Sequence, residues 1–290
     1  MCPSPSQPAR DLLCSANGEH KGMMVVSSGN TFGLAVHPDE TVFVVSEFGS
    51  STLIVYSLAD GKTVRTIGRK GSACGEMDGP FRICFAPNQH LLVAEFGNKR
   101  VQQLTITGSH VRFIGDNFFV DGAPWGLAAR GDVVAVSKWG GIGHKIALFS
   151  FDSGRPLAQF GPSGAREGSL GSQCCGITFS PSGREVVVTE NAESRLSVFR
   201  LDGAFVQCVG VGELGEGQKD TVFTTSGEYV VSDSDNHRVV VFSADGKSVL
   251  RKWGSIGSKS REFNCPTALA VVKTKLYVLD KNNHRVHVFE

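Results

Sequence analysis

A unit of about 45 residues recurs along this chain, and a repeat of that length limits the fold more than any local pattern does. Its clearest copies are Tyr229-Val230-Val231-Ser232-Asp233 with Arg238-Val239-Val240-Val241-Phe242, and Tyr277-Val278-Leu279-Asp280 with Arg285-Val286-His287-Val288-Phe289. In both, an apolar strand ends on an acid, four residues turn the chain, and an Arg opens a second apolar strand. Weaker copies stand at Val93-Ala94-Glu95 with Arg100-Val101, and at Val187-Val188-Thr189-Glu190 with Arg195-Leu196-Ser197-Val198-Phe199. A degenerate copy runs from Val44-Val45-Ser46-Glu47 to Thr52-Leu53-Ile54-Val55-Tyr56. The most divergent pairs Val134-Ala135-Val136-Ser137-Lys138 with Lys145-Ile146-Ala147-Leu148-Phe149. Gly68, Gly115, Gly161, Gly210 and Gly254 keep the same step, each closing an apolar run.

Turn formers divide each unit further. Ala59-Asp60-Gly61-Lys62, Leu201-Asp202-Gly203-Ala204 and Ala244-Asp245-Gly246-Lys247 suit the joint between a third and a fourth strand. His37-Pro38-Asp39-Glu40, Ala86-Pro87-Asn88-Gln89 and Ser180-Pro181-Ser182-Gly183 suit the joint between a first and a second. No segment carries a helical period. Six copies of such a unit predict an all-β fold, a six-bladed β-propeller of four-stranded antiparallel blades. Radial repetition there buries the sheet faces and leaves only short edges. The last copy stops at Glu290 after its third strand, and a blade one strand short exposes a long unpaired edge. Met23-Met24-Val25-Val26-Ser27-Ser28-Gly29 has the character and the place to fill the gap, so the ring is expected to close through an N-terminal strand. Residues 1–22 then read as a flexible tail and residues 23–290 as one propeller domain.

A formal net charge of +1 gives no global field that would draw the molecule to nucleic acid or an anionic membrane. The N-terminus has no apolar run of signal-peptide length, and no later stretch is long enough to span a bilayer. The expectation is a cytoplasmic, monomeric protein without membrane contact. The eight cysteines are scattered through a chain large enough to build its own core, which favours free buried thiols over disulfides. Cys174-Cys175 lacks the Cys-x-x-Cys spacing of metal and redox sites.

The pattern strand, Asp, two residues, Asn, His, Arg, Val, strand, Phe resembles the NHL repeat. The resemblance covers the chain from Met23 onward and is strongest in the fifth and sixth copies. It implies a six-bladed propeller of the kind found as the partner-binding or RNA-binding domain of tripartite-motif ubiquitin ligases, with amidating lyases and lactonases as further relatives. A role in ubiquitination is implied by that resemblance alone, and then only as a substrate adaptor, because the chain carries no cysteine spacing for a zinc-binding RING.

The recurrent pairs Glu95 with Arg100, Glu190 with Arg195, Asp233 with Arg238 and Asp280 with Arg285 could be taken for catalytic or ligand groups. A role needed once would not be repeated around a ring, so they read as structural ion pairs that fix the turn between second and third strands. Among the segments expected to reach the channel, only Asp220 is a carboxylate and none holds a His. That is too few ligands for a metal site. Without a nucleophile elbow or a phosphate loop, no catalytic residue, metal or cofactor is expected. A lyase or lactonase relative with a channel metal remains a third reading.

The third copy departs from the rule, with Lys138 in place of the acid, Lys145 in place of Arg, and a longer turn, Trp139-Gly140-Gly141-Ile142-Gly143-His144. Arg82, Lys99 and Arg100 of the second unit and Trp125 of the third should share that face, giving a basic patch interleaved with tryptophans: Arg82, Lys99, Arg100, Trp125, Lys138, Trp139, His144 and Lys145. Asp116 and Asp121 would partly cancel it. The plainer alternative is a decayed repeat, with Trp139 packed on its own blade and the lysines solvated. The patch suits a protein segment, for which Trp and Arg are common anchors, and also single-stranded RNA. The leading expectation is a non-enzymatic scaffold binding a protein segment on the loop-rich face; RNA binding is the runner-up.

Overall fold

The computed structural model describes residues 19–115, 118–141, 143, 145–164, 166, 168–171 and 173–290. These residues build six four-stranded antiparallel sheets arranged in a ring. Blades 1 to 5 take their strands in chain order from the axis outward, at residues 31–67, 80–114, 123–160, 174–209 and 218–253. Blade 6 has three strands within residues 266–289, and its fourth, outermost strand is His20–Val25, antiparallel to Arg285–Phe289. The ring therefore closes through the N-terminus. The closing strand starts at His20, ahead of the boundary drawn at Met23, because His20 pairs with Phe289 and Gly22 with Val288. Beyond it, the Val26 amide donates to the His284 carbonyl and the Ser27 amide to the Tyr56 hydroxyl of blade 1, both at 2.8 Å. The tie thus spans the joint between last and first blades. Among the described residues, no helix is long and apolar enough to cross a membrane.

Stability comes from six apolar clusters, one at each joint between blades. The aromatic residue near the end of a third strand is a recurring wedge: Tyr56, Phe149, Phe199, Phe242 and Phe289 are all buried. Each contributes about 1.5–3 kcal/mol relative to exposure. The turn before that strand explains the motif's His-Arg step. The residue preceding the strand adopts a left-handed conformation at Ser51, Lys99, Ser194, His237 and His284, with φ between 50° and 57°. His is one of the residue types that tolerates that region. The outermost strands are protected by a slip in register at one equivalent point in each blade, at Val64, Val111, Leu157, Val206, Leu250 and, in the closing strand, Lys21. Such bulges twist an edge away from foreign strands, and here they hold the five apolar side chains in solvent.

The closing strand is also wired to blade 6 through imidazoles. His287, fully buried, faces the Asp280 carboxylate at 3.2 Å through Nε2 and the His20 ring at 3.1 Å through Nδ1, and His20 Nδ1 faces the Ser260 hydroxyl at 2.9 Å. Burial lowers the pKa of both rings; for His20 the neighbouring His287, Arg285 and Arg261 add to it, and for His287 Asp280 opposes burial while Arg285 assists. The unfolded chain, titrating at 6.5, takes up these protons before the native state does. The imidazoles' contribution is therefore complete above that pH and is lost as pH falls through the lower native values. The melting temperature should drop as pH falls below 6.5, and His20→Gln should flatten the profile in calorimetry.

Candidate functional site

Each innermost strand slips register against its neighbour close to its first residue. The residues left unpaired by these slips are Phe32-Gly33, Phe81-Arg82, Trp125-Gly126, Cys175-Gly176, Lys219 and Thr267. A bulge re-aims side chains that strict alternation would bury in the sheet stack. One residue per blade thus rims the channel on the face that also carries the inter-blade linkers. Glycine at the second bulge position lets neighbouring blades approach: a Cβ on Gly126 would sit 2.3 Å from the Cys175 carbonyl oxygen. A serine of the second strand locks the arrangement. The Gly126 amide donates to Ser137 Oγ at 2.9 Å, and that hydroxyl donates to the Cys175 carbonyl at 2.8 Å; Gly33, Ser46 and Phe81 repeat the relay.

Blades 2 and 5 carry charges, Arg82 and Asp220, where blades 1, 3 and 4 have glycine and blade 6 has Ala268, and they face each other across the ring. Arg82 crosses the axis to Asp220 with Nη1 3.1 Å from Oδ2. The same guanidinium donates to the carbonyls of Phe32, Lys219 and Thr267 at 3.2, 2.5 and 2.9 Å. Asp220 also accepts the Leu269 and Thr221 amides, at 2.9 and 3.1 Å. Four blades are joined at one point. Burial pushes the Asp220 carboxyl above its ordinary value, and Arg82 opposes that rise. The pair also ends a cavity of about 530 Å³, walled by the inner strands and reaching Pro38 and Lys273 on the opposite face.

Above Arg82, on the linker face, aromatic rings form a crescent over blades 1 to 3. Phe32 stacks on Phe81 at 4.4 Å between centroids, Phe81 lies 3.7 Å from Trp125, and Trp125 stacks on Trp139 at 4.2 Å. Phe48 and Phe96 meet this row edge-on, 5.9 Å from Phe32 and 5.6 Å from Trp125. Phe81 is buried, while the other five remain half-buried and open to solvent. The Trp125 indole nitrogen is buried with no partner.

Of the residues expected in a basic patch, the structure brings Trp125 and Trp139 together and places most of the cations elsewhere. Arg82 is buried in the cross-channel tie. Lys138 and Lys145 are buried too, Lys138 against Asp121 at 2.9 Å and Lys145 against the Gly140 and Gly141 carbonyls. Asp121 of the linker thus supplies the counter-charge that the third repeat lacks, and the Lys138 ammonium holds its pKa below the usual carboxylate range. Arg100 spends its donors on Glu95 and on the Ser72, Ala73 and Glu76 carbonyls. Lys99 is exposed, and His144 lies outside the described residues. Over blades 1 to 3, Lys99 is thus the exposed cation of the expected patch, and the aromatic rings other than Phe81 are half-open to solvent. Lys138 and Lys145 are not solvated, because burial lets their stems pack and their ammonium groups find fixed acceptors.

The four recurrent acid and Arg pairs are formed, at 3.1 Å for Glu95 with Arg100, 2.9 Å for Glu190 with Arg195, 2.7 Å for Asp233 with Arg238 and 2.9 Å for Asp280 with Arg285. The acids are fully buried. Three of them accept a linker amide, from Asp78, Gly171 and Asn264, and each Arg donates to linker carbonyls. Each pair clamps the linker that enters its own blade. Cys174 and Cys175 are buried free thiols; burial pushes Cys175 up to about 11 and Cys174 well above the ordinary value. Among the described residues, no group of three His, Cys, Asp or Glu side chains is placed to hold a metal ion.

The crescent had a sequence signal of its own. Phe32, Phe81 and Trp125 recur just before the second bulge residue, and Phe48, Phe96 and Trp139 recur just after the second-strand acid or its Lys138 substitute. No curated protein matches the chain in a sequence comparison. The NHL repeat family model matches residues 220–242 and 263–289, which fall in blades 5 and 6. The chain thus carries NHL repeats in blades 5 and 6 of a closed six-bladed β-propeller in which the same four-stranded unit recurs in every blade.

Proposed function

We propose that this propeller is an interaction platform that binds a segment of a partner protein across its linker face, on the crescent formed by Phe32, Phe48, Phe81, Phe96, Trp125 and Trp139. The observation that carries the reading is the continuous aromatic row, half-open to solvent and held on three rigid blades. Aromatic anchors dominate binding energy at protein interfaces, most of all when their own positions are fixed before the partner arrives. RNA would find surfaces for stacking here, but Arg82, Lys138 and Lys145, which were to track its phosphates, are turned inward. Trp139→Ala should weaken partner capture by more than about tenfold while leaving the melting temperature close to wild type. Capture that survives this change in quantitative pull-downs would remove the crescent as the binding surface.

A further inference from the structure

The channel rim is chemically divided. Blades 1 to 3 contribute aromatic rings, whereas blades 5 and 6 contribute two ammonium groups: Lys219, at the bulge of its inner strand, and Lys281, in the turn after Asp280. Lys281 joins the halves, since its Nζ lies 3.9 Å from the centroid of the Phe32 ring. Both lysines are half-buried, and neither has a carboxylate partner among the described residues. The acids on neighbouring elements are committed or displaced. Asp220 is held by Arg82 and two amides, Asp280 by Arg285, Asn283, His287 and the Asn264 amide, and Asp235 stands exposed on the blade 5 turn. Burial lowers the Lys281 pKa, with the neighbouring Lys219 adding to the fall and Cys265 opposing it. Two like charges on adjacent blades, each partly dry, thus stand without a carboxylate partner among the described residues.

We infer that the partner segment is acidic: an Asp or Glu carboxylate seated between Lys219 and Lys281, flanked by an aromatic or proline side chain that lies on the Phe32 end of the crescent. This rests on the platform reading above and adds the chemistry of the ligand. A carboxylate there exchanges ammonium repulsion for two charge-assisted hydrogen bonds, while the crescent removes the neighbouring apolar group from water.

The test is selection of phage-displayed random peptides on the immobilised full chain, followed by fluorescence polarisation with the enriched peptides. Enriched sequences should carry an acid beside an aromatic residue or proline. Their affinity should fall about tenfold or more on Lys219→Gln/Lys281→Gln, be retained on Lys281→Arg, and weaken with added salt. Melting curves of each variant separate lost binding from lost folding. Peptides that need Trp139 but bind the double Gln variant unchanged, or that show no preference for acids, would overturn this inference and leave the platform standing. Absence of any peptide dependent on Trp139 would bring down both. A labelled oligouridine that binds through the same two lysines in preference to every selected peptide would overturn the assignment in favour of RNA.

Discussion

Deleting residues 1–29 should abolish the folded monomer rather than trim a tail. The deletion removes His20–Val25, leaving Arg285–Phe289 as an open edge whose backbone groups had paired over the length of the strand. It also takes away Met24 and Val26 from the joint between blades 6 and 1, together with the Ser27 contacts to Tyr56 and Glu47. The loss is of the order of ~5 kcal/mol or more, comparable with the whole stability of an ordinary domain. The freed edge then offers itself to other chains. Light scattering behind size exclusion should show aggregates or no soluble protein, and a monomer with wild-type circular dichroism and melting temperature would contradict the closure.

The second large effect is expected at the axis. Arg82→Ala leaves Asp220 buried without its counter-charge and frees the Phe32, Lys219 and Thr267 carbonyls, for a loss of about 3–5 kcal/mol. The sign of the pH dependence follows from the carboxyl. Its pKa is already raised by burial and is held down chiefly by Arg82, so the variant's Asp220 titrates higher still and becomes neutral on acidification. The gap in stability between Arg82→Ala and wild type should therefore narrow as pH falls and widen as it rises. Adding Asp220→Asn should recover part of the loss, with a coupling of more than about 1 kcal/mol in a double-mutant cycle. Additive effects of the two substitutions in denaturant titrations would show that the tie across the ring does not act as a unit.

The architecture was legible because it is written in repetition: the alternation of Tyr229–Asp233 and Arg238–Phe242, the glycines that close each unit, and the apolar segment ahead of the first unit that pairs with the last blade. The acid and Arg pairs were legible for the same reason, since equivalent positions in a ring meet equivalent neighbours. The rim was harder to read because it depends on the bulges. The slip between Pro80 and Ile83 takes Arg82 out of the period-two pattern, and only the closed ring shows that blade 2 faces blade 5. Lys138 and Lys145 misled for a related reason. A lysine in place of an acid looks like a surface charge until the linker's Asp121 and the carbonyls of Gly140 and Gly141 are brought against it.

The most direct measurement places a photo-crosslinking benzoylphenylalanine at Phe96, on the crescent, and in a second protein at Asp60, in an exposed turn of the opposite face, with adducts from living cells sequenced for both peptide and RNA. The account predicts peptide adducts from position 96, concentrated in acidic segments and suppressed by Trp139→Ala, with few from position 60. Adducts formed chiefly from position 60, or position 96 adducts that are nucleotides rather than peptides, would contradict it.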